Sequence, residues 1–197
     1  MPRIKKLELD EWDNDLREMT AADSGTALEQ GIMRMFAHTP EISKGLVAFG
    51  GAIKSHRSLP DRLVELVRLR VAFHNQCRSC MAIRYQDGVD AGIDEDLVCS
   101  LEKPQEAEDL NDAEKAAIEY GELFATNHLA IDDSVYENLR KYFSEAEIVE
   151  LSITVAWFVG FGRLAATYHM VEELPEAFQN ENSEKLTPWN EESIIVR

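Results

Sequence analysis

The sequence predicts an all-α fold, and three observations carry that expectation. Apolar residues recur at spacings of three and four, alternating β-branched runs are few, and only 10 glycines and 6 prolines punctuate 197 residues. No segment reads convincingly as a strand. Helices are expected at 24–37, 41–56, 60–74, 77–91, 94–101, 112–127, 132–142 and 144–170.

Ser24 opens the first of these as a candidate N-cap, its short side-chain oxygen able to accept an otherwise unpaired N–H of the first turn. Ser58 is placed to cap 60–74, which Leu59-Pro60-Asp61 introduces. A break at His74-Asn75-Gln76 separates that helix from 77–91. The segment 101–111, with Pro104 and four acidic residues, reads as an exposed connector. Asn111, Asp132 and Ser144 are the candidate caps of the last three helices, and Phe143-Ser144-Glu145 leads into a long one that looks apolar on more than one face at Ile153, Val155, Trp157, Phe158 and Phe161.

This divides the chain into an N-terminal extension (1–23), a helical domain (24–174) and a C-terminal arm (175–197) that is polar and aperiodic. Trp189 and Ile194-Ile195-Val196 would give the arm docking points on a neighbouring subunit; the alternative is a loosely ordered tail. An echo also runs through the chain at an offset of 85, where Val64-Glu65-Leu66 and Val149-Glu150-Leu151 each open a long apolar helix. An ancestral repeat and chance both account for it. If it is a repeat, only the first copy carries the chemistry, because Gly162, Ala165 and His169 fall opposite Cys77, Cys80 and Arg84.

An apolar fraction of 45% suffices for a core, and a formal net charge of −17 repels phosphates and anionic lipid, so nucleic acid and membrane surfaces are poor partners. No apolar run is expected to reach the roughly 18 residues of a bilayer span, since Glu150 and Arg163 close in the stretch 153–161. The N-terminus has no apolar signal core, and the expected location is cytoplasmic. Three cysteines there do not make a structural disulfide framework, so Cys77-Arg78-Ser79-Cys80 calls for a redox or metal explanation, while Cys99 reads as a core residue.

Cys77 and Cys80 fall at i and i+3 of a helix start, which puts both sulfurs on one face where backbone N–H groups favour a thiolate. Residues 54–84 hold seven basic side chains against Asp61 and Glu65. These cations either lower the thiol pKa or form a solvated arginine face paired with acids elsewhere. With the chain reversing near Asn75, helices 60–74 and 77–91 form an antiparallel hairpin that brings Glu65 level with Arg84. That geometry allows a buried Glu65–Arg84 ion pair with Cys80 one turn away; otherwise Glu65 is solvated.

The combination of Glu65, Cys77 twelve residues later and Cys80 resembles the carboxymuconolactone decarboxylase and AhpD-like alkylhydroperoxidase superfamily, over roughly residues 36–170. The resemblance implies an AhpD-like helical bundle, a homotrimer or homohexamer, and a peroxidase without a cofactor. In its peroxidase branch a hydroperoxide oxidises the second cysteine, here Cys80. The first, Cys77, resolves it as a disulfide that a dithiol reductant or redox protein reopens, and a Glu/His relay moves the proton. Glu65 matches the Glu, but Arg84 occupies the His slot, and a guanidinium cannot exchange a proton at neutral pH. His74 and His169 are the substitutes available, or else ordinary partly buried histidines. Helix-start physics favours Cys77 as the reactive thiol; the resemblance favours Cys80.

Two other readings stand beside the peroxidase. One is a decarboxylase-like lyase in which Arg84 or Arg70 binds a substrate carboxylate. The other is a zinc or structural site using His74, Cys77 and Cys80, which lacks a fourth ligand nearby. Covalent haem is excluded by Met81 after Cys80.

Overall fold

The computed structural model describes residues 2–179, 185–189 and 191–196. In chain order its elements are α1 (Asn14–Met19), α2 (Ala27–Gln30), α3 (Met33–Phe36), α4 (Pro40–Ser55), α5 (Asp61–Asn75), α6 (Arg78–Ala82), β1 (Ile83–Tyr85), α7 (Gln86–Asp90), α8 (Glu95–Ser100), α9 (Asp112–Thr126), α10 (Asp133–Leu139), α11 (Glu145–Tyr168), α12 (Glu176–Gln179) and β2 (Ile194–Val196). The fold is all-α apart from the pairing of β1 with β2.

Helix α5 is central because ten of its fifteen residues are buried, Glu65, Arg68 and Asn75 among them, so other elements must cover it on nearly every side. Leu63, Val64, Leu66, Val67, Leu69 and Val71 are all buried, packed chiefly on α9 and α11. The first residues form a satellite cluster of Leu7, Trp12, Leu16, Ala22 and Ala37, with Val47 of α4 against it. Cys99 is half-buried against the main core.

Local capping chemistry places α9, α10 and α11. Asn111, Asp132 and Ser144 accept the backbone N–H groups of Glu114 at 2.9 Å, Ser134 at 3.0 Å and Glu147 at 3.3 Å. The other two expected caps are corrected. Ser24 lies in a 3₁₀ turn, and the stretch 24–37 is two short helices instead of one: Thr26 and Glu29 form the capping box of α2, and Gly31, at φ 46°, ends it. Ser58 does not cap α5; its backbone N–H and that of Leu59 both donate to the Glu150 carboxylate of α11 at 3.0 Å.

The expected helix 77–91 is also corrected. It ends at Ala82, runs extended through Ile83, Arg84 and Tyr85, and resumes at Gln86. A β-branched and an aromatic residue suit the extended form, and β2 supplies a parallel partner, with Ile83 opposite Ile194, Arg84 opposite Ile195 and Tyr85 opposite Val196. The C-terminal arm therefore docks on its own chain. Trp189 is buried with its ring 5.4 Å from that of Phe73, and Gln76 exchanges two hydrogen bonds with the backbone of Leu186 at 2.9 and 3.0 Å. Residues 180–184, 190 and 197 of the arm lie outside the described residues.

Helix α11 is more apolar than its flanking charges suggest. One 18-residue window reaches a mean hydropathy of 1.5, so by length and composition the helix could cross a membrane. Here one face packs on α5 and α9, while Val149, Ile153, Ala156 and Gly160 are exposed.

The reversal that delivers the cysteine motif is fixed by α11. Asn75 is buried; its Nδ2 donates to the Phe158 carbonyl at 3.0 Å, and its Oδ1 accepts from Arg163 Nε at 3.1 Å. Arg163 also donates to the Ala125 carbonyl at the end of α9. Gln76 then turns the chain in the left-handed region at φ 50°. Only a residue without Cβ fits at Gly162, where a Cβ would stand 2.5 Å from Asn75 Nδ2. Gly162→Ala should lower unfolding free energy by about 1–3 kcal/mol in urea titration. Added to Asn75→Ala it should cost at least ~1 kcal/mol less than alone, because the two residues share one contact.

Candidate functional site

The reversal at Gln76 makes Cys77 the N-cap of α6, a helix of 5 residues in which the Cys80 N–H donates to Cys77 Sγ at 3.3 Å. The two sulfurs are joined as a disulfide. They differ in access. Cys77 is fully buried, whereas Cys80 is half-buried and contributes, with Ser79, to the wall of a cavity of about 420 Å³. That wall is largely apolar, with Phe36 of α3 and Trp157, Phe158 and Phe161 of α11, and Arg68, Asn75 and Tyr85 bring polar groups to it. Val196 of β2 is part of the same wall.

Beside Cys80 the structure places a residue the spacing argument does not single out. Arg68 lies one turn after Glu65 on α5 and is 7% exposed. Its Nε and Nη2 bind the two oxygens of Glu65, each at 2.6 Å, and Nη1 and Nη2 donate to the carbonyls of Cys80 at 2.7 Å and Ile83 at 2.8 Å. Tyr85 lays its ring over the guanidinium at 4.9 Å. Burial alone would lower the Arg68 pKa, but the charge and hydrogen bonds of Glu65 outweigh it and the net direction is upward.

The expected Glu65–Arg84 ion pair is thus not formed. The hairpin does bring Glu65 to that level, where it accepts the Tyr85 N–H at 3.4 Å, and Gly88 of α7 packs against its side chain. Because β1 is extended, however, the Arg84 side chain is directed elsewhere. It grips both oxygens of Glu95 on α8 at 3.0 Å and donates to the Met81 carbonyl at 2.7 Å. Burial pulls its pKa below the usual arginine value, against the opposing pull of Glu95. Arg68 and Arg84 together satisfy the carbonyls of Cys80, Met81 and Ile83, which the end of a short helix leaves without N–H partners.

Six of the seven cations of 54–84 are matched with acids, and the seventh, Arg78, donates to the Phe178 carbonyl at 3.1 Å. Arg57 pairs with Asp61, Lys54 with Asp87, Arg62 with Glu114 and Arg70 with Glu122, in addition to the two pairs above. The face is largely a set of ion pairs, with acids of α5 itself and of α7, α8 and α9, and not an uncompensated positive field.

The two histidines stand differently toward the cysteines. His74 donates to Glu122 at 2.8 Å, beside Arg70. His169 ends α11 in a left-handed conformation and lines a separate cavity of about 40 Å³ with Gln76, Arg78 and Ser79. Among the described residues no three His, Cys, Asp or Glu side chains are grouped to hold a metal ion, so the ligand set His74, Cys77 and Cys80 is not assembled.

Residues 40–123 match the carboxymuconolactone decarboxylase family. Two uncharacterized proteins of Mycobacterium tuberculosis, one from strain CDC 1551 / Oshkosh and one from strain ATCC 25618 / H37Rv, are each 33% identical over 121 residues, which is 60% of this chain. The matched part spans only 42% of those relatives' own length. The fold is shared with a peroxidase-related protein described as an AhpD core from Ralstonia eutropha JMP134, at a TM-score of 0.68 and 17% identity over 90% of this chain and 94% of that one. It is also shared with an Agrobacterium tumefaciens protein of unknown function whose name refers it to AhpD antioxidant defence. There the TM-score is 0.59 and the identity 22%, over 70% of this chain and 93% of that one.

Two expectations follow from the ion pairs. Arg84→Met should destabilise the protein by about 2–4 kcal/mol, because it strands buried carbonyls, and hydrogen exchange should report lost protection at 83–85. Burial would raise the pKa of Glu122, but the hydrogen bond from His74 and the charge of Arg70 outweigh it and hold the carboxyl below its ordinary 4.5. A depressed folded pKa gives stability that is present above about pH 4.5 and lost as pH falls below it. Glu122→Gln should flatten that acid limb in denaturation midpoints measured from pH 6 to pH 3.

Proposed function

We propose, from the membership of residues 40–123 in the carboxymuconolactone decarboxylase family and from the AhpD-like fold, that the protein is a thiol-dependent peroxidase cycling between Cys77/Cys80 dithiol and disulfide. The observation that carries this reading is the asymmetry of the pair: Cys80 forms part of a cavity wall and Cys77 lies buried behind it, bonded to it. A nucleophile needs access, and a resolving thiol needs only proximity to the nucleophile.

In this cycle the Cys80 thiolate attacks the terminal oxygen of a hydroperoxide, the O–O bond breaks, and Cys80 becomes a sulfenic acid while the alcohol departs. The Cys77 thiol displaces water from the sulfenic sulfur to form the disulfide. An external dithiol, itself oxidised, then reopens it by exchange at Cys80. A cavity of about 420 Å³ falls within the size range of small-molecule sites, so it has room for an organic hydroperoxide.

The lyase reading has less support, because both of its candidate anchors are engaged. Arg70 is bound to Glu122 and to the carbonyl of Leu101, Arg84 is bound to Glu95, and neither contributes to the wall at Cys80. Assembly as a homo-oligomer is also proposed, through the exposed apolar stripe Val149, Ile153, Ala156 and Gly160 of α11. Light scattering at micromolar concentration should give a multiple of the chain mass, and a stable monomer would refute it.

Peroxide consumption with a dithiol reductant tests the function. Cys80→Ser should abolish it, by 100-fold or more, and Cys77→Ser should leave a sulfenic acid on Cys80 that a dimedone-type probe traps. Undiminished turnover in Cys80→Ser would refute the peroxidase reading and favour the lyase.

A further inference from the structure

We infer that Arg68 is a catalytic donor at the Cys80 cavity, presenting an N–H to the oxygen that leaves when the peroxide bond breaks. The inference rests on the peroxidase reading and adds to it a group for which the Glu65, Cys77, Cys80 and Arg84 spacing makes no provision.

The count of donors leads to it. A guanidinium carries five N–H groups: one on Nε and two on each Nη. Nε is used by Glu65, and Nη2 is used twice, by Glu65 and by the Ile83 carbonyl. Nη1 makes one recorded bond, to the Cys80 carbonyl at 2.7 Å. The fifth N–H therefore belongs to the nitrogen already held against the backbone of Cys80, on a side chain that contributes to the same cavity wall as the sulfur-bearing residue. Two oxygens of Glu65, two carbonyls and the Tyr85 ring fix the group in place, so it needs no reorganisation when charge develops in front of it.

The chemistry requires such a donor. When the Cys80 thiolate attacks the terminal oxygen of ROOH, the S–O bond forms, the O–O bond breaks and the electron pair leaves on RO⁻. That alkoxide is strongly basic, and a largely apolar wall offers it few hydrogen bonds at the moment it forms. Arg84, in the position where the family places histidine, is turned to Glu95. Glu65 has both oxygens engaged by Arg68. Arg68 does not give up a proton; it donates a hydrogen bond to the developing alkoxide, and a water molecule entering the cavity then transfers a proton to that oxygen, completing the alcohol and leaving as hydroxide.

The test is the dependence of single-turnover Cys80 oxidation on the leaving group, measured on pre-reduced full-length protein. Arg68→Gln should slow oxidation by cumene hydroperoxide about 100-fold, the usual loss when one oxyanion donor is removed. It should slow oxidation by peracetic acid, whose leaving carboxylate needs no such help, less than about 5-fold. Arg68→Lys should fall between the native protein and Arg68→Gln on the first substrate. Equal slowing on both substrates would mean that Arg68 only holds Cys80 in place, and no slowing on either would mean that it has no part in the step; each overturns the inference. A native dithiol inert to both peroxides would overturn the peroxidase reading itself. Should the buried substitution prevent folding, the native protein still decides. Its ratio of peracid to cumene hydroperoxide rates should be at least tenfold smaller than that of free dithiothreitol, and equal ratios would refute the donor role.

Discussion

A guanidinium in the middle of the main core helix can persist only where its charge and its N–H groups are answered, because an unpaired buried charge costs several kcal/mol. Arg68 meets that condition with the carboxylate of Glu65 one turn before it on α5 and with the carbonyls of Cys80 and Ile83 across the hairpin. The ion pair is not there because it outcompetes an apolar pair for stability; buried salt bridges commonly do not. What it supplies is direction. A hydrophobic contact would let α6 slide or rotate on α5, whereas two carbonyls bound to one planar fork fix the height and the angle of Cys80.

Around that fork the other parts fall into place. Asn75 and Gly162 set how closely the end of α5 approaches α11. Gln76 turns the chain and at the same time holds the backbone of Leu186. Arg84 and Glu95 anchor β1, Ser193 adds a bond to the same Glu95 at 2.8 Å, and β2 brings Val196 to the cavity. Each of these serves the fold and the site at once, so the cysteine pair is supported by the last strand as well as by the central helix.

The division between what the sequence shows and what it conceals follows the range of the forces involved. Asn111, Asp132 and Ser144 are legible as caps because the N–H groups they bind lie two or three residues away. Glu150 is not, because the N–H groups it binds are about 90 positions distant, at Ser58 and Leu59. Spacing correctly brings Glu65 to the level of residues 84 and 85, yet it assigns the wrong cation, since it assumes a helix through 77–91 that the pairing of β1 with β2 interrupts. Arg68 leaves a local trace, an acid and a base three apart in the buried middle of a helix, between Leu66, Val67 and Leu69, and that pattern is the signal to weigh above the surrounding run of arginines. Of the candidate site residues, Cys77, Cys80, Glu65 and Arg84 gather near one hairpin, while His74 is held by Glu122 of α9 and His169, at the end of α11, lines a small cavity with Arg78 and Ser79 of the cysteine segment.

The pairing of the cations on 54–84 with acids drawn from α7, α8 and α9 bears on how molecules arrive. Six of the seven cations spend their field on a carboxylate a few ångströms away, so at the distance of an approaching solute the region nearly cancels and the formal charge of −17 dominates. Over the first Debye length, about 10 Å at 0.1 M salt, an anionic solute is turned away while an uncharged one is not. The protein thus filters its visitors by charge during diffusion, before any contact with the cavity, and the filter relaxes as ionic strength rises.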